Sequence, residues 1–419
     1  MKFEEIVFDK FKKSDKMIFM SIIRDLTLKI KKYLKRDEIL LIIGARQVGK
    51  TTLLHQVEEI LNKENEIVYF LDLEDPDYLT LLNKSPKNLF KIFPLDLKRK
   101  SFLLIDEIQY LDNPSNFLKY FYDQYKEKIK LIASGSSAFY LDKKFKDSLV
   151  GRKRIFYLFT LSFREFLRFK NEEGLSKKDF SNLTLSEKEK IEFYYQEYLT
   201  FGGYPRVVLS PFEEKEEVLK DIVYSYIKKD IYEANIRSDE IFYKLFKILA
   251  SQIGNLVNSS ELATTLGISK TAVDNYLYVM QKSFHIRLIS PFYKNLRKEL
   301  TKMPKVYFLD LGLRNFLVKN FKSFSEREDK GQLLENALFR QLIEKYDFEE
   351  IKFWRTINKQ EIDFVIDEKE AFEVKVKPIK KKSYKLFLET YPYLKFSFVS
   401  FGSKENKINS LPIREIYQI

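Results

Sequence analysis

Ile39-Leu40-Leu41-Ile42-Ile43-Gly44-Ala45-Arg46-Gln47-Val48-Gly49-Lys50-Thr51 decides the fold of this chain. Five apolar residues read as a strand, and Gly44 to Thr51 complete a GxxxxGK[ST] phosphate-binding loop. Thr52-Leu53-Leu54-His55-Gln56-Val57 then continues as a helix, the context this motif requires. Glycines let backbone N–H groups fold round a phosphate, and the helix N-terminus adds positive potential. The expected cradle is Gly44, Ala45, Arg46, Gln47, Val48, Gly49, Lys50, Thr51 and Thr52. Lys50 would reach the β and γ phosphates, and the Thr51 hydroxyl would help hold Mg2+. The expected ligand is ATP.

A second strand ends in acid. Ser101-Phe102-Leu103-Leu104-Ile105-Asp106-Glu107 delivers two carboxylates to the end of an apolar run. Asp106 is expected to hold Mg2+ through water, and Glu107 to polarise the attacking water. Ile129-Lys130-Leu131-Ile132-Ala133 runs into Ser134-Gly135-Ser136-Ser137, where Ser136, with Ser134 next, is the candidate for touching the γ-phosphate. The same stretch also reads as a Ser/Gly turn. Glu66 to Leu73 reads as a further strand, and strands alternating with helices predict a parallel α/β sheet. In Leu149-Val150-Gly151-Arg152-Lys153-Arg154, Arg152 is the candidate arginine finger, in cis or from a neighbouring subunit, with Arg154 in reserve. A solvated basic turn fits those residues equally.

Composition narrows the chemistry. An apolar fraction of 45% with 38 Phe and 26 Tyr fills hydrophobic cores and excludes a disordered chain. The net charge of +13 favours a polyanionic partner, nucleic acid and DNA first, although a Lys-rich bias produces the same excess. The absence of cysteine excludes disulfides, thiolate zinc sites and a Cys nucleophile. His55 and His285 are too few for a His-based metal cluster, so a metal must sit on oxygen ligands, which points to Mg2+ or Mn2+. Met17 to Ile23 is a short apolar run broken by Ser21, read as one face of a leading helix rather than a signal peptide or membrane span. A cytoplasmic location is the expectation.

The loop motif, Leu104-Ile105-Asp106-Glu107-Ile108-Gln109, Ala133-Ser134-Gly135-Ser136-Ser137 and Leu161-Ser162-Phe163-Arg164-Glu165-Phe166-Leu167 together resemble a known group. They look like the prokaryotic "archaeal ATPase" branch of the AAA+/STAND P-loop ATPases. Tyr198-Leu199-Thr200-Phe201-Gly202-Gly203-Tyr204-Pro205 and Tyr226-Ile227-Lys228-Lys229-Asp230-Ile231 are similar to further motifs of that group. Gly202-Gly203 and Pro205 also predict a sharp break between helices.

Beyond that point Ile241, Leu245, Ile248 and Leu249 recur at helical spacing. Ser259 or Ser260 is expected to cap a short helix, Gly267 to end it, and Ser269 to cap the next, from Lys270 to Gln281. Phe284 to Ile289 would add the strand of a winged helix, with Lys270, Thr271 and Asn275 outward, where DNA is reached. The same fold also serves purely structural roles.

The last hundred residues hold a second constellation. Glu361-Ile362-Asp363-Phe364-Val365-Ile366 alternates as a strand, with Glu361 and Asp363 on one face. In Ala371-Phe372-Glu373-Val374-Lys375-Val376-Lys377, Glu373 and Lys375 share a face while Val374 and Val376 are expected in the core. Order and spacing resemble the restriction-endonuclease-like, or PD-(D/E)xK, nucleases, and Glu335 matches the acid those carry on a preceding helix. Lys305 to Arg314 looks like the start of the same domain. The resemblance implies Asp363, Glu373 and Glu335 as ligands of Mg2+ or Mn2+, and Lys375 as the group that activates water. A sheet face edged by Glu and Lys ion pairs is the structural alternative.

The expected architecture is α/β. A P-loop AAA+-type ATPase domain with a helical lead-in occupies 1–170, a helical lid or connector 171–238, a winged helix-turn-helix 239–298, and a nuclease-like domain 299–419. The expected function is an Mg2+-dependent ATPase that couples ATP binding and hydrolysis to DNA binding and DNA cleavage, with a homo-oligomer as the assembly an arginine finger in trans requires. The alternative is a STAND-type nucleotide switch that recruits a protein partner and carries a non-cleaving tail.

Overall fold

The apolar run forms strand β1, Ile39–Ile43, buried on both faces, as a central strand of a parallel sheet must be. The structure is a computed structural model. It describes residues 22–136, 149–234, 236–292, 302–376, 384–403, 407–408 and 411–419. Most of the expected leading helix and Ser137 therefore lie outside the described residues, as do the side chains of Tyr226 and Ile227. The chain divides into two units, 1–159 and 160–419.

In the first unit, α1 (Asp25–Lys31) precedes β1, and α2 (Lys50–Lys63) follows it. Next come β2 (Ile67–Asp72), α3 (Pro76–Lys84), β3 (Ser101–Asp106), α4 (Pro114–Tyr125), β4 (Ile129–Gly135) and β5 (Lys153–Tyr157). The sheet order is β2-β3-β4-β1-β5 with every pair parallel, as the alternation of strands and helices predicts. β4 thus lies between β1 and β3, with Ala133 beside both Leu41 and Ile105. The carboxyl ends of these three strands consequently share one edge. Ligands of open parallel sheets bind at that edge.

In the second unit, α5 (Leu185–Phe201) stops at Gly202 and α6 begins at Pro205. The break is forced by close packing. A Cβ on Gly202 would meet the Asp310 carboxylate at 2.3 Å, and one on Gly312 would meet the Phe201 carbonyl at 2.0 Å. Asp310 accepts from Gly203 N at 2.8 Å and caps α10 (Leu311–Val318) through Leu313 N. The Gly-Gly motif is therefore where two helices cross backbone to backbone.

Between them run α7 (Lys215–Glu233), α8 (Asp239–Ser251), α9 (Ser259–Leu266) and α9's partner, Lys270–Lys282. The buried stripe of α8 is Phe242, Leu245, Phe246 and Leu249, one position round from the expected one, because Ile241 and Ile248 are only half-buried. Asn258, rather than Ser259 or Ser260, caps α9, its carboxamide oxygen accepting from Ser260 and Glu261 N–H groups. Gly267 ends it in the left-handed conformation, and Ser269 caps the next helix. β6 (Ile286–Ile289) then pairs antiparallel with β7 (Lys305–Phe308), on the far side of the 298/299 boundary.

The remaining sheet is mixed. Its order is β12-β13-β11-β10-β9-β8, from β8 (Ile351–Arg355), β9 (Glu361–Ile366), β10 (Glu370–Val374), β11 (Lys395–Ser400), β12 (Lys407–Ile408) and β13 (Leu411–Glu415). A helix at Lys385–Thr390 links the parallel pair β10 and β11 and packs Phe387 against Trp354, Phe396 and Tyr391. The helix Lys330–Leu342 carries Glu335. β10 ends at Val374, so Val376 is 41% exposed rather than in the core.

Candidate functional site

The phosphate loop of the first unit is shaped by three backbone constraints. Gly49 sits at φ +96 and Gln47 at φ +56, and a Cβ on Gly44 would stand 2.1 Å from the Leu158 carbonyl. The Lys50 side chain is buried, and its ammonium donates to Gly44 O at 3.2 Å and Ala45 O at 2.9 Å. A cation folded onto the loop's own carbonyls can exchange them for phosphate oxygens. Arg24, just before α1, braces the loop from outside, donating to Val48 O at 2.7 Å and Phe159 O at 2.9 Å.

The acidic strand meets this loop. Thr51 Oγ1 donates to Asp106 Oδ2 at 2.6 Å, and Ser134 Oγ donates to Asp106 Oδ1. Burial raises the pKa of Asp106, and those two hydroxyls partly offset it. Glu107 follows in a left-handed conformation, φ +53, its N–H donating to Ser134 Oγ at 3.1 Å. Burial works against its charge, but Lys50 and a hydrogen bond from Gln109 outweigh burial and hold its pKa below the ordinary value. Gln109 Nε2 donates to Glu107 and, at 2.8 Å, to Ser136 Oγ. Ser134 thus touches Asp106, while Ser136 bonds Gln109 and also contributes a hydrogen bond to Glu107.

Thr51 and Asp106 offer a hydroxyl and a carboxylate side by side, hard oxygen donors that suit Mg2+. Arg152 is not at this edge. Its carbonyl accepts from Ile39 N at the opposite end of β1, and its guanidinium bonds Asp123 at 3.0 Å. Arg154 is at that same end, bonded to Glu38 at 3.1 Å. An arginine finger in cis is therefore ruled out for both, because a whole strand separates them from the loop.

In the second unit, Asp363 and Glu373 come together across adjacent strands. Glu373 Oε2 accepts from Asp363 N at 3.2 Å, and Asp363 Oδ2 accepts from Val374 N at 2.8 Å. Lys375 pairs with Glu373 at 2.6 Å. Glu335 reaches the same cluster from its helix, but through a residue given no role above. Lys305, 1% exposed, stands 2.9 Å from Glu335 Oε1, 2.5 Å from Glu361 Oε1 and 3.9 Å from Asp363 Oδ1. Tyr307, two residues along β7 and so on the same face, also donates to Glu335.

Burial pushes Glu335 up to about 7 against the pull of Lys305, and burial with the nearby Asp363 pushes Glu373 up to about 8. Burial opposes the Lys305 charge, yet Glu335, Asp363 and Glu361 outweigh it and raise its pKa above the ordinary lysine value. The metal set Glu335, Asp363 and Glu373 needs correcting on this point. These oxygens are engaged by lysines and backbone N–H groups, and among the described residues no three acids are arranged to hold a metal ion. In this arrangement the cluster does not fit a divalent cation.

Sequence reasoning missed Arg24, Gln109 and Lys305. Arg24 left no local signal, Gln109 lay inside a quoted motif, and the Lys305/Tyr307 alternation was visible in the strand.

Comparison with known proteins agrees with the geometry of the first unit. Residues 36–167 match the family model described as an AAA domain. They fold as the parallel five-stranded sheet with flanking helices of a P-loop domain of AAA type. Residues 192–323 and 330–411 match two further models, each described as a domain of unknown function. An uncharacterized protein of Methanocaldococcus jannaschii is 29% identical over 98% of this chain and 93% of its own length. An uncharacterized protein of Haemophilus influenzae is 26% identical over 78% of this chain and 79% of its own. The Aeropyrum pernix ORC2 protein in its ADP form overlaps 63% of this chain and 85% of its own, at 13% identity and a TM-score of 0.34, too loose a likeness to carry an argument. No helix among the described residues is long and apolar enough to cross a membrane.

Proposed function

We propose that this chain is an Mg2+-dependent ATPase whose nucleotide cycle governs how the second unit engages DNA. The observation that carries the reading is the 2.6 Å contact between Thr51 and Asp106, with the Lys50 ammonium folded over the loop beside them. ATP entering the loop takes over the Lys50 ammonium from Gly44 O and Ala45 O. Thr51 and Asp106 would hold Mg2+, which would supply charge neutralisation at the phosphates. Glu107, kept ionised by Lys50 and Gln109, accepts a proton from the attacking water. Ser134 fixes Asp106, and Ser136 steadies Gln109. An arginine finger, Arg152 included, comes only from a neighbouring subunit, which makes a homo-oligomer part of the proposal.

DNA as the partner is supported by the net charge of +13 and by the helix-turn-helix. Lys270, Thr271 and Asn275 are all exposed on its second helix, ahead of the β6–β7 ribbon, the arrangement of a winged helix. The reading is tested by ATP turnover and by salt-dependent DNA binding. Lys50→Ala is expected to abolish turnover, and full activity in that variant would overturn the site. No DNA affinity at low salt, with nucleotide-dependent oligomerisation, would instead favour a switch that recruits a protein partner.

DNA cleavage is a second reading, favoured by the juxtaposition of Asp363, Glu373 and Lys375 on the restriction-endonuclease-like pattern. Metal-dependent nicking that disappears in Asp363→Ala while ATP turnover persists would support it; nicking that survives the change would assign it elsewhere.

A further inference from the structure

Lys305 occupies an unusual position. It comes from β7, which pairs with β6 and not with the mixed sheet, yet its ammonium is buried among carboxylates from the helix Lys330–Leu342 and from β9. Four acids, Glu335, Glu361, Asp363 and Glu373, face one another across this cluster. Buried carboxylates this close repel strongly unless cations stand between them. Lys375 neutralises Glu373 at 2.6 Å, and Arg355 neutralises the outer oxygen of Glu361 at 2.7 Å. Lys305 is the cation that stands against both Glu335 and Asp363, and Lys375 adds a weaker attraction from further off.

We propose that Lys305 is the resident cation of this cluster and competes with divalent metal for it. The inference rests on reading Asp363, Glu373 and Lys375 as a nuclease-like site. A metal ligated by Glu335 Oε1 and Asp363 Oδ1 needs the very oxygens that the ammonium faces. Ammonium and dication exclude each other there by charge and by volume. Lys305 has no route out along its own strand, since all four residues of β7 are buried. Tyr307 holds Glu335 in the same orientation from the same strand face. The site is thus closed to metal while β7 keeps its place, and opens only when Lys305 is withdrawn.

The test is Mn2+ titration of the nucleotide-free full-length chain, read by electron paramagnetic resonance. Wild type is expected to bind weakly at this cluster. Lys305→Met and Lys305→Gln are each expected to tighten binding by about tenfold or more, because one positive charge is removed beside the dication. Adding Asp363→Asn is expected to erase the gain. A tight wild-type site that vanishes in Asp363→Asn overturns the inference, as does unchanged binding in the folded Lys305 variants. Thermal melts report folding. If the single variants do not fold, Lys305→Met with Glu361→Gln removes the ammonium together with a carboxylate it bonds, leaves Glu335 and Asp363 as ligands, and is held to the same two outcomes. Nicking is scored separately: variants that gain Mn2+ without cutting DNA sink the nuclease reading and leave the role of Lys305 standing.

Discussion

Gly44→Ala is the sharpest test of how the first unit places its phosphate loop. The added Cβ would stand 2.1 Å from Leu158 O, 3.1 Å from Leu158 C and 3.3 Å from Val48 Cγ2. An ordinary carbon–oxygen contact is about 3.3 Å or more, so the backbones must separate by about 1.2 Å. No flexible side-chain end can absorb that shift, because the obstacle is the chain just after β5, where Leu158 N donates to Ile43 O at 2.8 Å. Overpacking of this kind costs about 1–3 kcal/mol. At about 1.4 kcal/mol per decade, ATP affinity should weaken about 10- to 100-fold if the strain falls on the binding-competent loop. The assay is a fluorescent-nucleotide titration alongside a thermal melt. Gly151→Ala is the matched control: its φ is +72, nothing among the described residues lies within 4 Å of the new Cβ, and it adjoins the far end of β1. It should lower stability by about 1–2 kcal/mol through the left-handed backbone and leave nucleotide affinity unchanged. Gly44→Ala binding ATP within about twofold of wild type would refute the close approach of Gly44 to Leu158, and with it the placement of the loop.

Two further outcomes probe the same unit. Gln109→Ala removes the donor shared by Glu107 and Ser136, and should lower kcat about tenfold with little change in nucleotide affinity; a rise in kcat would show that Gln109 restrains Glu107 rather than positions it. Lys130 is buried and donates to Arg36 O and Glu38 O, and burial lowers its pKa to about 8 despite the nearby Glu38. A lysine depressed in the fold costs stability wherever the unfolded chain is protonated and the folded one resists it. Wild type should therefore gain stability relative to Lys130→Met as pH rises from about 8 towards 10.5, the ordinary lysine value, with a flat difference below about 8. Urea unfolding of both proteins across that range checks it, and parallel curves would count against the burial argument.

What could be read in the sequence follows from how local each feature is. The loop, the acidic strand and the alternation of strands with helices are written within a few residues, because backbone geometry demands particular residue types there. Gly267 and Ser269 act through their own turns, and both do what local chemistry predicts. The misses share a different cause. Arg152 looked suitable as an arginine in a basic run just before a strand, but its place depends on parallel register with Ile39, a partner more than a hundred residues away. Val376 looked like core because alternation was extended two residues past the point where β10 leaves the sheet. Lys305 belongs to the same class. Nothing in Lys305-Val306-Tyr307 announces a carboxylate cluster, since the acids come from Glu335, Glu361 and Asp363, each brought in by a different long-range contact. A motif search rewards the acids and passes over the cation that compensates them. A motif of acids alone therefore cannot tell a metal site from a lysine-closed one; the fold around β7 makes that distinction.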